Sequence, residues 1–171
     1  MLSGVVAELV RDGWHVVVPS RRYAPIPADL PHAGDRQALW IEADWAEPEP
    51  FAERARKALG GPADLLVAWV HDAYRVDVLN AITPLLANDA AMVEVRGAAA
   101  AQPTSGEPEP SLPGHETQLV VLGFVRDGES TRWLTHREIS DGVLDAVHRA
   151  LADRPPATHQ IGEVNQYALR V

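Results

Sequence analysis

Cysteine is absent from the 171 residues, and lysine occurs once, as Lys57. The first absence excludes disulfides, thiolate catalysis and sulfur-ligated metals. The second removes nearly all amine chemistry, which matters below. No run approaches the roughly 18 consecutive apolar residues of a membrane span, and the N-terminus lacks the basic start of a secretory signal. A cytoplasmic protein with no membrane partner is expected. Positive charge is also scarce, with Lys+Arg 15 against Asp+Glu 24 and a net charge of −9. That balance would repel a phosphate backbone, and no basic stripe offsets it, so nucleic acid is excluded as a partner. His15, His32, His115, His136, His148 and His159 are scattered without ligand spacing, so no metal site is expected. Neither a G-x-S-x-G elbow nor a P-loop occurs, which removes the usual support for hydrolase and triphosphatase readings.

What is present is an ordinary globular composition, 46% apolar and 23% charged, in a length that suits one domain over 1–171. Leu2, Val5, Val6, Leu9 and Val10 recur at helical spacing and Gly13 follows as a stop, predicting a helix over 2–12. Residues 14–19 predict a strand buried on both faces, ending in Ser20-Arg21-Arg22. Three prolines and a glycine make 23–37 a loop. Residues 38–43 are strand-like and end at Asp44-Trp45. A helix over 48–59 starts with proline and is followed by Gly60-Gly61, the usual asymmetry of helix ends.

Residues 64–70 form the clearest strand, closing at His71. Val76, Leu79, Ile82 and Leu86 mark a further helix that Pro84 should bend or shorten. A strand over 91–95 leads to 98–114, four alanines followed by Pro, Ser, Gly and Glu, which reads as a flexible loop with little to pack. Residues 118–125 return to strand, and Asp127-Gly128 offers a hairpin turn into 130–134. Thr135 and Glu138 form a capping box for a last helix reaching Asp153, and an edge strand is expected around 167–171. Helices alternating with strands predict an α/β fold, a Rossmann-like three-layer α/β/α arrangement with a mostly parallel sheet.

The chain opens on Met1-Leu2-Ser3-Gly4 and runs directly into a helix and then a strand. This order is the second half of a dinucleotide-binding βαβ unit, whose first half would be a buried strand and a glycine-rich turn. The first strand of the usual fold is therefore missing. Strands pair at about 4.8 Å, so its loss leaves a gap of roughly 10 Å with unpaired edges. Three expectations follow: the flanking strands close up, another chain fills the slot, or a start codon lies upstream and the product is truncated.

Arginines after the second strand of such a unit suit a ribose 2′-phosphate, whereas a carboxylate there would suit a 2′-hydroxyl. Ser20, Arg21 and Arg22 thus point to NADP rather than NAD. Asp44 could accept from an adenine amino group with Trp45 flanking the ring, or it could cap the following turn. His71 lies at the carboxyl end of the sheet, where it could touch the cofactor or donate a proton, or cap the next helix.

These residues resemble the short-chain dehydrogenase/reductase superfamily, and within it a group of small Rossmann proteins that begin with a strand and a G-G-T-G-M-L turn. Met1-Leu2 would end that turn. The segments 68–71, 121–125 and 132–140 carry the rest of the resemblance, which covers 1 to about 150. It implies cofactor contacts at Ser3, Gly4, Ser20, Arg21, Arg22, Asp44, Trp45, Val70 and His71. The superfamily's catalytic Tyr-x-x-x-Lys does not carry over. Lys57 has Glu53 four residues before it, while Tyr23, Tyr74 and Tyr167 are followed at that spacing by Pro27, Val78 and Val171.

Two readings stay open: an atypical NADP-dependent oxidoreductase acting on an unknown small molecule with an acid other than tyrosine, or a non-catalytic cofactor-binding or protein-interaction module. A homo-oligomer is compatible with either.

Overall fold

The structure is a computed structural model and describes residues 2–22, 38–97, 110–112, 114–128 and 130–164. The chain runs α1 (Ser3–Arg11), β1 (Val16–Ser20), β2 (Ala38–Glu42), α2 (Pro48–Leu59), β3 (Ala63–Ala68), α3 (Asp72–Ile82), β4 (Leu86–Gly97) and β5 (Thr117–Leu122). It continues through the hairpin β6 (Phe124–Asp127) and β7 (Ser130–Trp133), then α4 (His136–Leu151) and β8 (Thr158–Ile161). This is the expected α/β class.

The helices form two layers because the strands carry apolar residues on both faces. On β4, Val93 and Val95 face one way and Met92 the other, so alternate residues enter different cores. Val5 and Leu9 of α1 and Ile139, Val143, Ala146 and Val147 of α4 cover the first face, with Val120 and Leu122 of β5. Phe51 and Ala55 of α2 and Val78, Leu79 and Ile82 of α3 cover the second, with Ala43, Ala68 and Val70. Each buried valine or leucine contributes about 1.5–3 kcal/mol relative to exposure.

The parallel strands fall into two sheets. β1 pairs with β2, Ser20 opposite Glu42, and β3-β4-β5-β8 form a separate parallel sheet. Among the described residues β1 and β3 do not pair, so the expectation that the strands flanking the missing one close up is not met. Yet both belong under the same helices: Val16 of β1 and Leu65 and Val67 of β3 pack on the core shared by α1 and α4. The consequence is visible in burial. All six residues of β5 are buried, whereas all five of β1 are only half-buried, which corrects the expectation of burial on both faces at 14–19.

Other boundaries differ for local reasons. The helix marked by Val76 and Ile82 ends at Ile82, Thr83–Leu85 form a 3-10 turn around Pro84, and Leu86 begins β4 instead of extending the helix. The strand expected over 118–125 breaks at Gly123, where an added Cβ would lie 2.2 Å from the Glu163 carbonyl oxygen. That close approach lets Phe124 exchange hydrogen bonds with Glu163 and turns the chain into the hairpin. Part of the segment read as loop over 98–114 packs after all, with Leu112 buried against α3's core; residues 98–109 and 113 lie outside the described residues. The edge strand expected at 167–171 also lies outside them, while β8 extends the sheet beside β5.

Candidate cofactor site

In open α/β folds, ligands bind at the carboxyl ends of parallel strands. β1 ends in Ser20-Arg21-Arg22, β2 in Ala43-Asp44-Trp45 and β3 in Trp69-Val70-His71. The first two ends are joined directly, since the Ala43 N–H donates to the Ser20 carbonyl at 3.2 Å. The second and third share a core, in which Ala43 and Val70 are buried and Trp45 is packed at the edge. The structure thus joins the ends that carry Ser20, Arg21, Arg22, Asp44 and Trp45 into one rim, while Val70 packs in the core on which Trp45 also rests and His71 follows it in sequence.

The local geometry assigns each a present task. Arg21 and Arg22 are exposed, and the Arg22 N–H donates to the Ser20 hydroxyl at 3.4 Å. Asp44 Oδ1 accepts from the Ala46 N–H at 3.0 Å, so this carboxylate holds the turn into α2, the capping alternative, and leaves Oδ2 for another donor. Trp45 meets Phe51 edge-to-face with ring centroids 5.3 Å apart, which fixes the indole at the base of α2. Val70 is buried, and its carbonyl accepts from Arg75 at 3.1 Å. His71 is the N-cap of α3, its Nδ1 accepting from the Ala73 N–H at 3.4 Å. A neutral imidazole that accepts at Nδ1 carries its hydrogen on Nε2.

Ser3 and Gly4 open α1, where free backbone N–H groups give a helix start its affinity for anions. Ser3 is exposed. Gly4 already serves packing: a Cβ here would lie 2.7 Å from the Ser140 hydroxyl oxygen of α4. Glycine at this position therefore sets the approach of the two helices.

A polar cluster beside this rim was not read from the sequence. Glu94 and Arg96 alternate with valines on β4 and both point toward α3, where they are buried with Arg75. Glu94 accepts from Arg96 at 2.8 Å and lies 3.4 Å from Arg75, which also pairs with Asp72. Ser111 completes the cluster, donating through its N–H and its hydroxyl to the two Glu94 oxygens, each at 2.7 Å. The signal available was two opposite charges at i and i+2 inside an otherwise apolar strand. Breaking such a buried network by removing one partner costs about 3–5 kcal/mol. A groove of about 630 Å3 between α2 and α3, lined by Glu49, Glu53, Arg56 and Asp77, includes none of the rim residues.

No protein-family model matches the sequence, and no curated protein matches it. Three solved chains match in structure. One, assigned to the short-chain dehydrogenases/reductases of Burkholderia multivorans and solved with bound NADP, matches with a TM-score of 0.57 at 21% identity. The match covers 94% of this chain and 90% of that one. The class defined by layers, strand order and rim is thus the Rossmann-like α/β fold. In this chain the parallel strands of that fold are divided into two sheets.

Proposed function

We propose that the protein binds NADP and holds its adenosine end at the rim formed by Ser20, Arg21, Arg22, Asp44 and Trp45. The observation that supports this is the backbone bond joining the β1 and β2 ends, since the exposed Arg21 and Arg22 follow the one strand and Asp44-Trp45 the other. Arg21 and Arg22 would pair with the 2′-phosphate, Asp44 Oδ2 would accept from the adenine amino group and Trp45 would flank the ring. The likeness to an NADP-bound protein supports the same reading. Replacing Arg21 and Arg22 by alanine should weaken NADPH binding, measured by fluorescence titration, about tenfold or more while leaving NADH binding nearly unchanged. That is the loss of a charge-assisted contact worth about 1.5–3 kcal/mol. Equal losses for both cofactors would remove the 2′-phosphate assignment.

The reading extends to an atypical oxidoreductase through His71. When bound, NADPH supplies a hydride; the chain must supply the proton, and no tyrosine stands before a lysine to do so. The cap at Nδ1 leaves the Nε2–H of an exposed His71 for a carbonyl oxygen. Turnover of NADPH with a panel of carbonyl compounds, and its fall in His71→Gln, tests this role. Tight binding with no oxidation would instead favour the non-catalytic cofactor-binding module.

A further inference from the structure

His71 stands between two residues that a single side chain holds. Arg75, one helical turn further along α3, donates from Nη2 to the Val70 carbonyl at 3.1 Å, and the same nitrogen pairs with the Asp72 carboxylate. The Val70 carbonyl belongs to the peptide bond that leads into His71, and Asp72 is the residue that follows it. The guanidinium therefore ties down the chain on both sides of the histidine. Arg75 is itself fixed from the opposite direction: it is buried, its Nε lies 3.4 Å from Glu94 Oε1 on β4, and Glu94 is held in turn by Arg96 and by the Ser111 N–H. The bracket thus rests on an interior strand as well as on its own helix.

Stability alone is a weak reason for it. The attraction within a buried ion pair is largely offset by the desolvation of its charges, and apolar residues of similar size often serve as well. The start of α3 is also capped already, by His71 Nδ1 accepting from the Ala73 N–H. That cap is long, 3.4 Å, and it holds an exposed ring against which the Tyr74 ring is tilted at 6.5 Å between centroids. So long a bond is weak. It fixes the imidazole only while the backbone that carries it is fixed, and a group that is to transfer a proton must be held within about 0.5 Å of its productive place.

We propose that Arg75 is a positioning residue for His71. By bridging the Val70 carbonyl and the Asp72 carboxylate, it holds the backbone of His71 where Nδ1 can accept from Ala73, and so keeps the ring hydrogen on Nε2. The chemical use of that Nε2–H rests on the proton-donor reading above; the bracket does not.

The test is NMR of the whole protein carrying 15N-labelled histidine, at about pH 8, where an ordinary imidazole is neutral. Asp72→Ala removes the half-exposed arm of the bracket and leaves the buried pairing of Arg75 with Glu94 in place. Arg75→Lys keeps a charge opposite Glu94 but gives up the planar fork. In the natural protein the His71 ring should show a protonated Nε2 and an accepting Nδ1 with well-separated signals. In both variants the tautomers should interchange and the two signals draw together, while the Ala73 amide exchanges about tenfold or more faster through local opening. The urea midpoint of Asp72→Ala should stay close to that of the natural protein, a combination that a merely structural role for Arg75 would not give. The proposal is overturned if Asp72→Ala leaves the ring signals and Ala73 exchange unchanged, or if the natural protein already shows averaged tautomers; should Arg75→Lys fail to fold, Asp72→Ala decides. Failure of the proton-donor reading has a different signature. His71→Gln would then leave turnover unchanged while Asp72→Ala still shifted the ring signals, and the bracket would stand without the donor.

Discussion

A glycine at the start of a helix in a dinucleotide-binding fold invites a reading as a phosphate cradle, and Gly4 shows how packing can claim the same residue. Its missing Cβ is what allows α1 to rest on Ser140, whose hydroxyl oxygen and Cβ would lie 2.7 and 2.8 Å from it. Both interfering atoms belong to a buried side chain close to its own backbone, so the helices must separate rather than a flexible tip swing away. Gly4→Ala should therefore cost about 1–3 kcal/mol of stability in urea unfolding. The same substitution made in a Ser140→Gly background should cost far less, a coupling that a double-mutant cycle reads directly. Equal costs in the two backgrounds would place the demand for glycine elsewhere. Asp44 and His71 show a parallel economy: each accepts a local N–H through one atom, Asp44 Oδ1 and His71 Nδ1, which ties it to the backbone of the turn it begins.

At the scale of elements, pH separates what the strands and helices contribute. His159 on β8 is partly buried, and its Nε2 lies 2.8 Å from Gln118 Oε1 on β5. Burial first, and then the Arg149 cation, lowers its pKa below the ordinary 6.5, against a smaller upward pull from Asp145. The unfolded chain thus takes up this proton more readily than the folded one. The stabilisation tied to neutral His159 is complete above 6.5 and is lost as pH falls below that value toward the folded pKa. In urea titrations from about pH 7 to about pH 5, His159→Gln should flatten the decline in stability seen with the natural residue. An unchanged slope would assign the decline to other groups. Glu138 keeps its charge to lower pH than an ordinary exposed carboxylate: Arg132 and then the Thr135 N–H and hydroxyl hold it well below its usual range, so the capping box stays charged under mild acid. That box was legible in the sequence because its partners are three residues apart, and so was α2, whose bounds are given by Pro48 and by Gly60 at φ 69°. β8 was not legible. Thr-His-Gln-Ile has no strand pattern of its own and becomes a strand only by pairing with β5. The candidate rim was legible because each member ends a strand. Gly4's partner and the Glu94 cluster were not, because both depend on contacts between segments distant in the chain.

For the whole molecule, a sheet divided in two predicts stability divided in two. β4 and β5 sit between both helical layers, with Val93, Val95 and Val120 at the centre of the α1/α4 core. β1 and β2 form a two-stranded ladder, and neither strand is wholly buried. Two strands alone are marginal in water and depend on what covers them. Here the cover is α2, tied on through Arg54 to the Glu42 carbonyl at 2.9 Å and through His15 to the Ala58 carbonyl at 3.1 Å. Such surface contacts contribute little individually, about 0.5–1.5 kcal/mol each. The β1–β2 unit should therefore open by local unfolding at a free energy well below that of the larger sheet. Native-state hydrogen exchange in rising urea checks this. The Val18 amide, bonded to β2, should exchange through a low-energy opening with shallow urea dependence, while the Val120 amide should exchange only by global unfolding, with a steep one. If both amides followed one steep isotherm from the lowest urea concentration, the two sheets would be a single cooperative unit. The rim would then be as rigid as the core, whereas the divided sheet makes it a part that opens while the larger sheet stays folded.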